Sequence, residues 1–152
     1  MVDEATRECA GLVMETIPLV MRSIGTEMHK RHEGEVPMHQ FGALMFLKDH
    51  RGASLSSLAK HCGSSLPSMS KLIDGLVERG YITREVSAAD RRCVVLALTD
   101  LGEAVLESVR REAVGYLGEM LTPLSASERA MVMQAMDLLR SVFGAAPAER
   151  VV

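Results

Sequence analysis

Small, hydroxyl-bearing and basic side chains cluster in the middle of the chain, where their chemistry suits contact with phosphates and base edges. A helix predicted from about Ser68 to Arg79 turns Met69, Ile73 and Leu76 toward a core. The residues that lie outward or flank that apolar face are Pro67, Ser68, Ser70, Lys71 and Asp74. Because the first turn of a helix carries the positive end of its dipole, this surface is suited to the major groove of DNA. The alternative interpretation is a solvated helix face.

A basic turn follows this helix. Strands predicted at about residues 81–86 and 94–98 form a hairpin around a polar loop. Exposed arginines at such a tip are suited to the negative potential of a narrow minor groove. Asp90, two residues before Arg92, is placed to pair with it and fix its direction. The hairpin therefore adds Asp90, Arg91 and Arg92 to the predicted DNA-binding residues.

Helical periodicity and capping residues define the remaining elements, and the predicted N-caps include Ser54, Ser65 and Ser125. The spacing of Ala59, Gly63, Met69 and Leu72 is typical of a helix-turn-helix, in which a small residue sits at the helix crossing and glycine makes the turn. Helices are predicted at about residues 4–30, 39–49, 54–63, 68–79, 99–122 and 125–143. The predicted fold is mainly α with a small β-hairpin wing.

Composition and charge exclude several classes of protein. The chain has 152 residues, of which 47% are hydrophobic and 24% charged, as expected for one globular unit. No window approaches the length of a membrane span, and acidic residues at positions 3 and 4 argue against a secretory signal, so we expect a cytoplasmic protein with no membrane partner. The net charge is −3, but residues 51–99 hold seven basic and four acidic residues, or +3, and the flanks hold −6.

Catalytic and metal-binding chemistry has little support. No glycine-rich phosphate loop or nucleophile elbow is visible, so we predict a protein that is not an enzyme. Cys9, Cys62 and Cys93 match no zinc or redox spacing, and we expect reduced, mostly buried thiols. Nitrogen and oxygen ligands for zinc do occur between His29 and His39, but the long helix after the hairpin has no histidine to complete a site. We therefore predict neither a metal nor a cofactor.

The segment from Leu55 to Gly102 closely resembles the MarR-type regulators, the multiple-antibiotic-resistance group of winged-helix repressors. The matching residues are Leu58-Ala59, Gly63, the Pro67-to-Ile73 stretch, Arg79-Gly80, Asp90-Arg91-Arg92, and Leu98-Thr99 with Gly102. The resemblance implies a winged helix-turn-helix DNA-binding lobe at about residues 39–99. By position, its recognition-helix residues would be Ser65, Pro67, Ser68, Ser70 and Lys71, and its wing residues would be Arg84, Asp90, Arg91 and Arg92. It further implies an obligate homodimer that is built by helices at about 4–30 and 100–144, within a single chain unit of residues 1–152.

The function implied by the resemblance is sequence-specific regulation of transcription. The expected protein is a dimeric repressor that binds a pseudo-palindromic operator in double-stranded DNA. Members of the group respond to small phenolic or lipophilic anions bound between the dimer helices and the DNA-binding lobe. By position, Ile17, Met21, His39, Phe41, Met45 and Cys62 would line that space. Two alternatives stay open, namely a winged-helix protein-interaction module and a cysteine redox-sensing regulator.

Overall fold

The computed structural model describes residues 1–31 and 38–144. The elements are α1 (Glu4–Arg31), α2 (Met38–Asp49), β1 (Ala53–Ser54), α3 (Leu55–His61), α4 (Leu66–Glu78), β2 (Ile82–Val86), β3 (Val94–Leu98), α5 (Asp100–Leu121) and α6 (Ala126–Phe143). The chain divides into two compact units, Met1–Val114 and Gly115–Val152. Within the described ranges, every helix is too short or too polar to cross a membrane.

The core of the first unit is built by short segments that each contribute one apolar face. Leu44, Leu58, Ile73 and Leu76 are fully buried, and Ala59 is 4% exposed where a larger side chain would separate α3 from α4. The complete cluster of buried residues is Ala43, Leu44, Leu47, Leu58, Ala59, Met69, Ile73, Leu76, Ile82, Leu96 and Leu106. The predicted helix-turn-helix is therefore confirmed, and its two helices share one core.

Polar caps and glycine define the ends of the short helices as predicted. Ser54 caps α3 by accepting a hydrogen bond from the backbone N–H of Ser57, and Ser65 caps α4 by accepting from Ser68. Gly63, in the turn between these helices, has a φ of +62°, a left-handed conformation that favours glycine. The helix-turn-helix geometry thus follows from local chemistry.

The sheet differs from the predicted two-stranded hairpin because it has three strands, in the order β1-β3-β2. β2 and β3 pair antiparallel, with Ile82 opposite Leu98 and Arg84 opposite Leu96. The additional strand β1 has only two residues, and Ala53 pairs with Leu96 on the other edge of β3. The two predicted strands of the hairpin are confirmed, and the sequence interpretation missed β1 because a strand of two residues shows no periodicity.

Thr99 joins four elements at the point where β3 ends and α5 begins. Its hydroxyl donates to the carbonyl of Gly80 at 2.5 Å and accepts from the N–H of Gly102 at 3.0 Å. Its own N–H donates to the carbonyl of Tyr81 at 3.1 Å. A Cβ on Gly102 would overlap that same carbonyl oxygen and lie 3.0 Å from its carbon. The junction therefore requires a hydroxyl residue and, three residues later, glycine.

The second unit contains the end of α5 and the whole of α6. A capping box begins α6, because Ser125 accepts from the N–H of Glu128 while the Glu128 carboxylate accepts from the N–H of Ser125. Hydrogen bonding to Ser125 lowers the pKa of Glu128. No residue of α6 is buried, although the helix carries many large apolar side chains. Helix α1 in the first unit likewise leaves several apolar side chains exposed.

We expect Gly102→Ala to destabilise the protein by about 1–3 kcal/mol, the usual cost of overpacking a tight site. The matched control is Gly42→Ala in α2, where a new Cβ would meet nothing within 4 Å. This control should stabilise the protein by about 0.5–1 kcal/mol, because alanine restricts the unfolded chain. Denaturant unfolding at one protein concentration measures both changes, and equal stability of the two variants would contradict the role of Gly102.

Candidate nucleic-acid interface

The start of α4 presents the predicted groove-contacting residues to solvent. Ser65, Pro67, Ser68 and Lys71 are exposed, and Ser70 is half-buried. Met69, Ile73 and Leu76 hold the opposite face of the helix in the core. The Ser65 hydroxyl donates to the Ser68 hydroxyl at 2.9 Å, so these two side chains form a fixed pair at the positive end of the helix dipole.

The loop between β2 and β3 is held by a set of short hydrogen bonds. The Ser87 N–H donates to the carbonyl of Cys93 at 2.8 Å, and the Cys93 N–H donates to the carbonyl of Asp90 at 3.0 Å. The Asp90 carboxylate accepts from the backbone N–H of Arg92 at 3.0 Å. Arg91 and Arg92 are exposed at this tip. Asp90 thus organises the turn through the backbone of Arg92 rather than through the predicted side-chain pair.

Arg84 has a specific partner that the sequence interpretation missed. Its guanidinium donates to the carboxylate of Asp74 on α4, so one side chain of β2 is joined to the helix. From the sequence alone, Asp74 is only a charge that repels phosphates. The signal for the pair is weak, because ten residues and a turn separate the two positions.

Leu66 is a second position that sequence reasoning passed over. It lies between Ser65 and Pro67 in the first turn of α4, and half of its surface is exposed. An apolar side chain among hydroxyls that are predicted to face a groove is suited to contact the methyl group of thymine. The signal was present in the sequence, but an apolar residue beside a helix start is ordinarily assigned to the core.

The residues predicted to line an effector site lie in different parts of the structure. Cys62 lines a cavity of about 500 Å³ with Gln40, Ser64, Ser68, Met69, Lys71 and Leu72. Phe41 and Met45 pack against the core, whereas Ile17 and Met21 are exposed on α1. The side chain of His39 lies outside the described residues. The effector site stays a prediction.

The expectation of mostly buried thiols was wrong, because Cys9, Cys62 and Cys93 are all exposed. Cys62 is the C-cap of α3 and Cys93 lies in the wing loop, and such element ends leave side chains at the surface. Partial burial still raises the pKa of the Cys62 thiol, which disfavours the reactive thiolate. Of the zinc-ligand candidates, residues 32–35 and the His39 side chain lie outside the described residues.

Comparisons with known proteins agree with this geometry. Residues 35–92 match the family model described as the MarR family. An uncharacterised HTH-type transcriptional regulator of Mycobacterium bovis, Mb0904, is 27% identical over 84% of this chain and 90% of its own length.

Two solved structures share the fold. RV1404 from Mycobacterium tuberculosis superposes with a TM-score of 0.79 at 21% identity, over 97% of this chain and 99% of that one. The transcriptional repressor CouR, bound to a 23-mer DNA duplex, superposes with a TM-score of 0.66 at 21% identity, over 91% of this chain and 97% of that one. The resemblance first visible in the wing and in the Leu98-Thr99-x-x-Gly102 motif is confirmed, since residues 35–92 match the MarR family and the chain shares the fold of both solved structures.

Proposed function

We propose that this chain is a dimeric repressor of transcription that binds a pseudo-palindromic operator in double-stranded DNA. Each lobe inserts the start of α4 into a major groove and the wing tip into the adjacent minor groove. One observation carries the proposal: the exposed hydroxyl and ammonium groups of Ser65, Ser68 and Lys71 stand at the positive end of α4 in a lobe that also presents Arg91 and Arg92. These are the groups that contact phosphates and base edges.

The charge distribution along α4 supports insertion of its first turns only. Lys71 is the last basic residue before Asp74 and Glu78, which lie one and two turns further along the helix. These carboxylates oppose close approach of phosphates, although the guanidinium of Arg84 neutralises Asp74. The helix therefore offers a cationic start and an anionic end.

Exposed apolar surface supports the homodimer. In α6, Met131, Leu138 and Val142 are each at least 66% exposed. In α1, Leu12, Met14 and Leu19 are each more than half exposed. Exposed apolar surface of this kind marks an interaction site, and a second copy of the chain would bury such surface in a two-fold interface. A two-fold dimer reads two half-sites about one helical turn apart.

The first test is fluorescence anisotropy with the DNA duplex upstream of the chain's own gene and with a scrambled duplex, each at two salt concentrations. We expect a Kd of about 10⁻⁸ M or tighter for an operator, and much weaker, salt-sensitive binding to the scrambled duplex. If the upstream duplex shows no preference, selection from random sequences identifies the operator. Failure of that selection would instead favour the protein-interaction module.

The wing is tested by replacing Arg91 and Arg92 together with alanine. We expect weaker operator binding and a salt slope reduced by roughly one unit for each phosphate that the variant no longer neutralises. The matched control is Arg110→Ala with Arg111→Ala, which removes two adjacent exposed arginines from α5. Unchanged affinity in the Arg91 and Arg92 variant would show that the wing does not contact DNA.

The dimer is tested by Met131→Glu, which places a charge on the apolar face of α6. We expect the mass in solution to fall from twice 16.5 kDa toward 16.5 kDa, because a buried charge costs several kcal/mol. Met133→Glu is the control, since its residue is 67% exposed against 66% for Met131 but lies roughly 160° away on the helix. Light scattering measures both, and a dimeric Met131→Glu variant would place the interface elsewhere.

A further inference from the structure

The ion pair between Asp74 and Arg84 is a side-chain connection between the two parts of the proposed DNA interface. Asp74 lies in the third turn of α4, and Arg84 is the central residue of β2. Because side chains alternate along a strand, Arg84 shares a face with Ile82, which is 1% exposed and belongs to the core. The core therefore directs Arg84 back toward the helix.

The same two elements are also connected through the turn that separates them. The Gly80 N–H donates to the carbonyl of Val77, and the Tyr81 N–H donates to that of Leu76, both at 2.9 Å. These two bonds act only at the start of β2, where Ile82 is buried in the core. Further toward the tip β2 pairs with β3, and the ion pair between Asp74 and Arg84 adds a direct attachment of the hairpin to α4.

We propose that Asp74 and Arg84 are positioning residues for DNA binding, because their ion pair sets the direction of the wing relative to α4. The inference rests on the proposed function. It reassigns Arg84 from the predicted DNA contacts to a role that acts through Asp74. When two contact surfaces are already held at a fixed angle, less conformational freedom is lost on binding, which is the general benefit of preorganisation.

The competing interpretation is that Arg84 leaves Asp74 and contacts a phosphate. The side chain of Arg84 is 38% exposed and that of Asp74 is 61% exposed, so the arginine is the more enclosed partner. An arginine that must first leave a carboxylate gains less from a phosphate than a solvated one does. The two interpretations predict opposite changes in DNA affinity when the Asp74 charge is removed. If Asp74 competes with phosphate for Arg84, removing the charge strengthens binding. If Asp74 positions the wing, removing the charge weakens binding.

The experiment compares Asp74→Asn, Arg84→Gln and the charge-swapped double variant Asp74→Arg with Arg84→Asp. Operator and scrambled duplexes are titrated at several salt concentrations, and thermal unfolding verifies the fold. The matched control is Glu78→Gln, which removes the same charge one turn later on the same helix. It reports the general effect of removing a carboxylate near DNA, and the effect of Asp74→Asn is read relative to it.

We expect Asp74→Asn and Arg84→Gln to weaken operator binding about threefold per lobe, hence about tenfold for a dimer, the scale of an exposed ion pair. Binding to the scrambled duplex, the salt slope and the unfolding midpoint should stay near their values in the unchanged protein. Combining both substitutions should cost little more than either alone, and the swapped pair should recover most of the affinity.

Two results overturn the inference alone. One is tighter operator binding by Asp74→Asn than by Glu78→Gln, and the other is a salt slope that Arg84→Gln lowers by about one unit per lobe. Either would return Arg84 to the DNA contacts while the proposed function stands. If the unchanged protein prefers no duplex, even after selection from random sequences, the proposed function fails and this inference fails with it.

Discussion

The hydrogen-bonded junction at Thr99 is the constraint on which the DNA-binding lobe depends. The carbonyls of Gly80 and Tyr81, just after α4, both accept from Thr99, just before α5. Gly102 allows α5 to approach the Tyr81 carbonyl closely. One residue therefore fixes the end of α4, the start of β2, the end of β3 and the start of α5 at a single point. The Leu-Thr-x-x-Gly motif is explained by backbone packing and needs no contact with DNA.

The wing is positioned by backbone hydrogen bonds and by side-chain contacts. Backbone bonds locate the base of the hairpin and close its loop, whereas side chains add contacts that direct the wing and organise its tip. Asp74 and Arg84 act between the helix and the strand, and Asp90 acts within the loop. Exposed pairs contribute little to stability, about 0–1 kcal/mol. Their effect on the free energy of unfolding is therefore small even where their effect on direction is large.

Local chemistry made most of the fold predictable, because helix ends depend on a few residues. Serine caps at positions 54, 65 and 125 and glycine at position 63 act within one turn, so the sequence alone is sufficient. Two of the misses, β1 and the partner of Arg84, depend on distant contacts. β1 exists because residues 53 and 54 reach the edge of β3, and Arg84 is paired because β2 runs back along α4. The exposed start of α4 and the wing tip were predictable, but the pairing that connects them was not.

Because the net charge of the chain is negative, its affinity for DNA depends on where individual cations are placed. The whole chain carries −3, so its net charge does not attract DNA, and the local excess of +3 in residues 51–99 is what favours binding. At physiological salt the electrostatic field of those cations is screened over a Debye length of roughly 8 Å. They must therefore lie close to the phosphates to contribute to binding. A misdirected wing loses its contribution, and in a two-fold dimer the loss occurs twice. Affinity for an operator should therefore depend more steeply on the angle between α4 and the wing than on the number of basic residues.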